Sequence, residues 1–195
     1  MKVVSGPLDE LLPEHDVREV HELWVDASGS RVWSALNQVT LREMPLFRAL
    51  LFLRQPMPLA PRNRRLVSRT DRPLLAEMAS GAFVPLLQRP PSDLVLGMIA
   101  KPWRPTGSLR IVDRTAFVNF AEPGWAKIVL GFQLQELDGR TRLTTDTRVR
   151  ATDAAARRWF WLYWLPVSWG SATTRRSWLR AVKRRAEAAG PEEVS

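Results

Sequence analysis

Apolar residues recur at every second position from Ala126 through Ile128, Leu130, Phe132 and Leu134. Asp138-Gly139 follows, a hairpin signal because both residues tolerate positive φ. A second alternation comes next, Thr141, Leu143, Thr145, Thr147 and Val149, interleaved with Arg140, Arg142, Thr144, Asp146, Arg148 and Arg150. The pattern predicts an antiparallel hairpin with one buried and one wet face. Its buried face carries hydroxyls where valine or isoleucine would be commoner. Threonine suits strands in any case, so Thr141, Thr145 and Thr147 either pack or line a cavity.

The same reading covers the rest of the chain. Val17–Val25 is strand-like, and Ser28 is placed to cap a helix over Arg31–Val39, where Val32, Trp33, Leu36 and Val39 fall at helical spacing. Leu46–Leu53 reads as an amphipathic turn or helix, and Gln55–Pro61, with three prolines, as a loop followed by Arg62, Arg64, Arg65 and Arg69. Pro73–Met78 is a short helical piece. Phe83–Gln88 and Leu94–Ala100 form a second hairpin in which Pro85 marks an edge strand or a bulge. Lys101-Pro102-Trp103-Arg104-Pro105 ends that strand, and Thr115–Phe120 is a short apolar segment. Thr152-Asp153 then caps a helix running to Ala189, which Pro166 is predicted to kink or split.

Hairpin-linked strands with segregated helices predict an α+β fold. A curved antiparallel sheet closing over one long helix leaves a pocket between them. Residues 1–15 read as a loosely ordered arm, 16–189 as one domain and 190–195 as a flexible tail.

Several segments resemble the START-like, or SRPBCC, superfamily of polyketide cyclases and lipid-transfer domains. His21-Glu22-Leu23-Trp24-Val25-Asp26-Ala27 and the following Val32-Trp33-Ser34-Ala35-Leu36 resemble its opening strand and helix. Thr144-Thr145-Asp146-Thr147-Arg148-Val149, then Arg150-Ala151-Thr152-Asp153, resemble the last strand and the start of the final helix in an uncharacterised bacterial branch. Tyr163-Trp164 and the run from Arg175 to Ala186 resemble that branch's terminal helix. The resemblance implies a helix-grip fold, a sheet of about seven antiparallel strands around a long C-terminal helix, with a hydrophobic cavity between. It implies binding of lipids, polyketides or other apolar molecules, in some members with cyclisation or dehydration. It carries no site residue.

Charge changes the picture in one half only. The net charge is +9, and 17 basic and 9 acidic residues lie beyond residue 100, against 12 and 11 before it. Such a field attracts nucleic acid, anionic lipid or an acidic partner. Yet 25 of the 29 basic residues are arginine, which also fits GC-rich coding, so no nucleic-acid role is expected. The chain has no cysteine, and its start lacks the apolar core of a secretory signal. Trp159–Trp169, the longest apolar stretch, falls short of the roughly 20 residues of a membrane span. A cytoplasmic location is expected.

Catalytic signatures are missing. His15 and His21 are the only histidines and have no metal-ligand spacing; His21, beside Glu19 and Glu22, reads as a strand or surface residue. No P-loop, Gly-x-Gly-x-x-Gly or Gly-x-Ser-x-Gly occurs, so no cofactor or metal is expected. Glu77 and Glu122 are candidate isolated carboxylates, whose pKa desolvation would raise, against the plainer reading of turn residues. The expected activity is binding of a hydrophobic or amphipathic small molecule, by a carrier or sensor rather than an enzyme. Expected cavity residues are Phe83, Leu87, Asn119, Ile128, Leu130, Phe132, Thr145, Thr147, Trp159 and Tyr163. A cyclase or aromatase acting in the same cavity is the alternative. A further one is docking to an anionic membrane or a protein partner through the Trp/Arg-rich helix, since one surface cannot bury Trp159, Phe160, Trp161, Tyr163, Trp164 and Trp169 together.

Overall fold

The computed structural model describes residues 6–45, 71–104 and 108–188. Its elements are α1 (Pro7–Leu11), β1 (Val17–Val25), α2 (Gly29–Gln38), a 3-10 turn (Leu41–Glu43), α3 (Leu74–Ala79), β2 (Val84–Arg89), β3 (Asp93–Lys101), β4 (Ser108–Arg110), α4 (Arg114–Asn119), β5 (Ala126–Leu137), β6 (Arg140–Ala151) and α5 (Ala154–Ala188). The expectations for 46–53, 55–61, Arg62, Arg64, Arg65, Arg69 and 189–195 lie outside the described residues.

The strands form one curved antiparallel sheet in the order β1-β6-β5-β3-β2, with β4 added to the far end of β3. It has six strands among the described residues, against about seven expected. The predicted hairpin is β5–β6, closed by Asp138 and Gly139 at φ 50° and 74°. Pro85 lies on the edge strand β2, where the register shifts between Pro85 and Leu87. Helix α5 lies along the inner face of the sheet, and the whole is the α+β helix-grip arrangement. Its N-cap is Asp153, whose Oδ1 accepts from the Ala156 amide at 2.8 Å.

Four local expectations change. Helix α2 starts at Gly29 rather than Arg31. Ser28 makes no capping bond there, and the Gly29 amide donates instead to Glu136 Oε2 at 2.7 Å. Thr115–Phe120, read only as an apolar segment, is largely the helix α4, capped by Asp113. Helix α5 runs unbroken past Pro166, so the missing amide costs one bond without splitting the helix. Within the loose arm expected over 1–15, Pro7–Leu11 is a short helix, and Leu8, Leu11 and Leu12 are buried on the outer face of the sheet.

That last contact overturns the wet face. Leu8, Leu11 and Leu12 join Leu86, Val95, Ile99, Phe117, Trp125 and Val129 in an outer apolar cluster. Gly131 makes room for it, since a Cβ there would sit 2.5 Å from Leu8 Cδ1. Arg148, read as solvent chemistry, is buried and paired with Asp9 at 2.6 Å and Asp146 at 3.2 Å. Hydrogen bonding from Arg148 holds the Asp9 carboxyl below its ordinary pKa. Lys127, on the same face, is buried over the Phe117 ring and donates to the Val118 carbonyl at 2.7 Å.

Candidate functional site

The inner face is set by alternation in β1. Val17, Glu19, His21, Leu23 and Val25 point toward α5, opposite Val149, Thr147, Thr145, Leu143 and Thr141 of β6. The two ends of this ladder are apolar. Val17 and Val149 cluster with Phe160 near the start of α5. Val25 and Leu143 cluster with Trp178, Leu179 and Val182 near its end, and Leu23 packs against them. Between the two clusters lies a polar band of Glu19, His21, Thr145 and Thr147.

Helix α5 answers this band with polar groups. Ser171 Oγ donates to Glu19 Oε2 at 2.9 Å. His21 Nε2 lies 2.8 Å from Glu19 Oε1, so the carboxylate bridges strand neighbour and helix. One turn beyond Ser171 comes Arg175, whose guanidinium sits 6.0 Å from the Trp178 ring. Burial pushes the Arg175 pKa down to about 10, against the opposing pull of the Glu19 charge, so the group stays cationic at neutral pH. No carboxylate of the described residues comes within ion-pair distance of it.

Buried polar groups normally find partners. Here Thr145 Oγ1, Thr147 Oγ1, Arg175 Nε and Trp178 Nε1 are buried and have none among the described residues. The helix above them is equally unusual. From Trp161 to Arg176 no residue is buried, although Leu130, Phe132, Thr145 and Thr147 on the sheet beneath all are. A Cβ added at Gly170 would meet nothing within 4 Å. The helix is gripped at both ends and loosely covered between them. Half-buried Ile128, Tyr163 and Trp164 wall one side of the band, and Phe132, edge-on to Trp178 at 4.9 Å, walls the other.

The expected cavity residues divide accordingly. Ile128, Leu130, Phe132, Thr145, Thr147 and Tyr163 lie on the inner side, and half-buried Phe83 packs at the edge of its larger cluster. Leu87 does not, because the shift after Pro85 delivers it to the outer cluster. Asn119 is exposed at the end of α4, beside that outer cluster. Trp159 points outward and is 59% exposed. Glu122 is also exposed, held by the Trp125 indole and by Arg110. These bonds lower its pKa, the reverse of the expected rise. Glu77 lies 3.5 Å from Arg72 on α3, away from the band. Ser171 carries no signal in the sequence, and Arg175 stands there only as part of the basic flank of the aromatic helix. His21 is a weak candidate base in the sequence, for want of a second histidine, and Val20 and Trp24, on the outward parity of β1, obscure that it and Glu19 face in.

No family model and no curated protein matches the chain. Among solved structures it is similar to a conserved protein from Geobacillus kaustophilus, at 12% identity over 89% of this chain and 97% of that one, with a TM-score of 0.41. It is similar to a protein from Thermus thermophilus, at 9% identity over 90% and 100%, with a TM-score of 0.37. A third is the Zhui aromatase/cyclase from a Streptomyces species, at 16% identity over 89% and 98%, with a TM-score of 0.32. None of these transfers a site residue or an activity.

Proposed function

We propose that the protein binds a small apolar or amphipathic molecule, lipid- or polyketide-like, between the sheet and the middle of α5, as a carrier or sensor. The observation that carries this reading is the uncovered stretch from Trp161 to Arg176 above a sheet face with unpartnered hydroxyls. Phe132, Ile128, Leu130 and Tyr163 offer apolar contact, worth about 25 cal/mol per Å² removed from water before the losses of association. Thr145, Thr147 and Arg175 supply the few polar contacts that orient a ligand. The test is native mass spectrometry of the purified protein, organic extraction of anything bound, and titration of the emptied protein with a hydrophobic fluorescent probe. Ser171→Trp fills the band from the helix side and is expected to abolish probe uptake while the fold persists. An empty protein that takes up no probe, or equal uptake by S171W, sinks the reading.

A second reading, a cyclase- or aromatase-type enzyme, is favoured by the Glu19–His21 pair. Its 2.8 Å contact is the geometry of an oriented general base, and Arg175 is a cation for a developing oxyanion. His21→Gln separates the two. Unchanged ligand binding, with no turnover of a poly-β-ketone surrogate by the unmodified protein, supports the carrier; turnover lost in H21Q with binding intact supports the enzyme.

A further inference from the structure

The outward side of α5 carries a surface that the interior site does not use. Trp159, Leu162, Leu165 and Trp169 recur at steps of three, three and four residues, which places them on one helix face. They are 59%, 63%, 68% and 87% exposed, and Trp161, at 43%, flanks them. Single exposed leucines are ordinary; a contiguous stripe with this much tryptophan marks an interaction surface.

Charge identifies the partner. Arg158 stands at one end of the stripe and Arg176 and Arg180 at the other, all exposed and without a carboxylate partner among the described residues. From Ala154 to Ala186 the helix has no Asp or Glu but eight Arg or Lys. A second copy fits badly. A two-fold antiparallel pairing of this face, centred between Leu165 and Trp169, would set each Arg158 beside an Arg176 of the other copy. Tryptophan at the boundary, leucine below it and arginine at the headgroup level are the composition of a helix lying in a membrane interface. No helix among the described residues is long and apolar enough to cross a membrane, so the contact is peripheral.

We propose that this face of α5 docks on an anionic phospholipid bilayer. Trp159, Leu162, Leu165 and Trp169 enter the interface, and Arg158, Arg176 and Arg180 meet the headgroup phosphates. The stripe covers the same stretch of helix whose other side faces the polar band. Docking therefore places the uncovered middle of α5 between membrane and interior, yet it does not depend on any ligand being there.

The experiment is flotation of the full chain with phosphatidylcholine vesicles, with and without phosphatidylglycerol, at low and high salt. The protein is expected to float with the anionic vesicles, to stay behind with the neutral ones and to detach as salt rises. Leu165→Ser with Trp169→Ser should abolish flotation without changing thermal unfolding, because both side chains are exposed. Arg158→Gln with Arg176→Gln should weaken it about fivefold per charge. Equal flotation of the serine variant overturns the proposal, as does no flotation at all. A concentration-dependent dimer in sedimentation equilibrium that L165S/W169S dissolves also overturns it, in favour of a second copy.

Discussion

From Ser177 to Ala186 the long helix buries Trp178, Leu179, Ala181 and Val182 against the sheet and α2, whereas from Trp161 to Arg176 its residues are at most half-buried. The two stretches are continuous helix in one chain, so secondary structure does not explain the contrast. The sheet does. Where β1 and β6 offer Leu23, Val25 and Leu143, the helix packs down through Trp178, Leu179 and Val182; where they offer Glu19, His21, Thr145 and Thr147, it meets them through polar groups such as Ser171, 2.9 Å from Glu19. An unbroken apolar ladder would have packed against α5 along its whole length. The polar band interrupts the core at one place, and a rigid helix bridges the interruption because both its ends are anchored.

The most forceful way to break this comparison is to remove one tryptophan from each stretch. Trp178 is 2% exposed, and Trp178→Ala is expected to lower unfolding stability by about 4 kcal/mol. Trp169 is almost fully exposed, and Trp169→Ala should stay within about 0.5 kcal/mol of the unmodified protein. Chemical denaturation of both variants decides it; equal losses would mean that the middle of the helix is as much a part of the core as its end.

Pro166 tests the same contrast by the opposite sign. It sits exposed inside the bridging stretch, removes one helical hydrogen bond and is intrinsically disfavoured there by about 3 kcal/mol. Because the site is exposed, Pro166→Ala should stabilise the protein by about 2 kcal/mol, measured as a rise in the denaturation midpoint. A destabilised variant would show that the proline fits a shape the helix needs.

The parts of this architecture legible in the sequence are those written in local pattern. Alternation and Asp138-Gly139 gave the β5–β6 hairpin with its register, and the inward threonines came with it. Pro85 signalled its own bulge. The outer cluster was not legible, because Arg148 is buried through a partner, Asp9, that lies 139 residues away in sequence. Lys127 likewise reads as a wet residue until α4 is laid over it. The polar band was half legible. Thr145 and Thr147 follow from parity in β6, but β1 has apolar residues on both parities, and only its pairing with β6 assigns Glu19 and His21 to the inside. Ser171 and Arg175 belong to a helical stretch with no clear apolar face inward, since its strongest apolar stripe points out.

Arg175 sharpens the comparison through the cost of its charge. A cation whose folded pKa is lowered, here to about 10, opposes folding wherever both states are protonated. That opposition is present at all pH below about 10 and is relieved only as pH rises from about 10 toward the unfolded value. Discounted for its partial exposure, it amounts to about 1–2 kcal/mol. Arg175→Met should therefore raise stability by that amount, with a gap to the unmodified protein that stays flat between about pH 6 and about pH 9. A loss of stability would mean that the guanidinium has partners that hold it in place.

The smallest effect belongs to the hydroxyls, and it bears most directly on what the band is for. Thr147 Oγ1 is buried without a partner among the described residues, so Thr147→Val keeps the shape and removes a desolvated polar atom. In a site that serves only the fold, evolution toward valine would have been the easy course, since such an exchange is worth about 1 kcal/mol of added stability. The expected result is that gain, together with weaker binding of the extracted ligand or probe, and Thr145→Val should behave alike. Stability and binding then move in opposite directions, which is the mark of a group retained for a ligand rather than for the core. A variant that is less stable, or more stable with binding unchanged, would return the threonines to ordinary strand residues and leave Glu19, His21 and Arg175 as the band's polar groups.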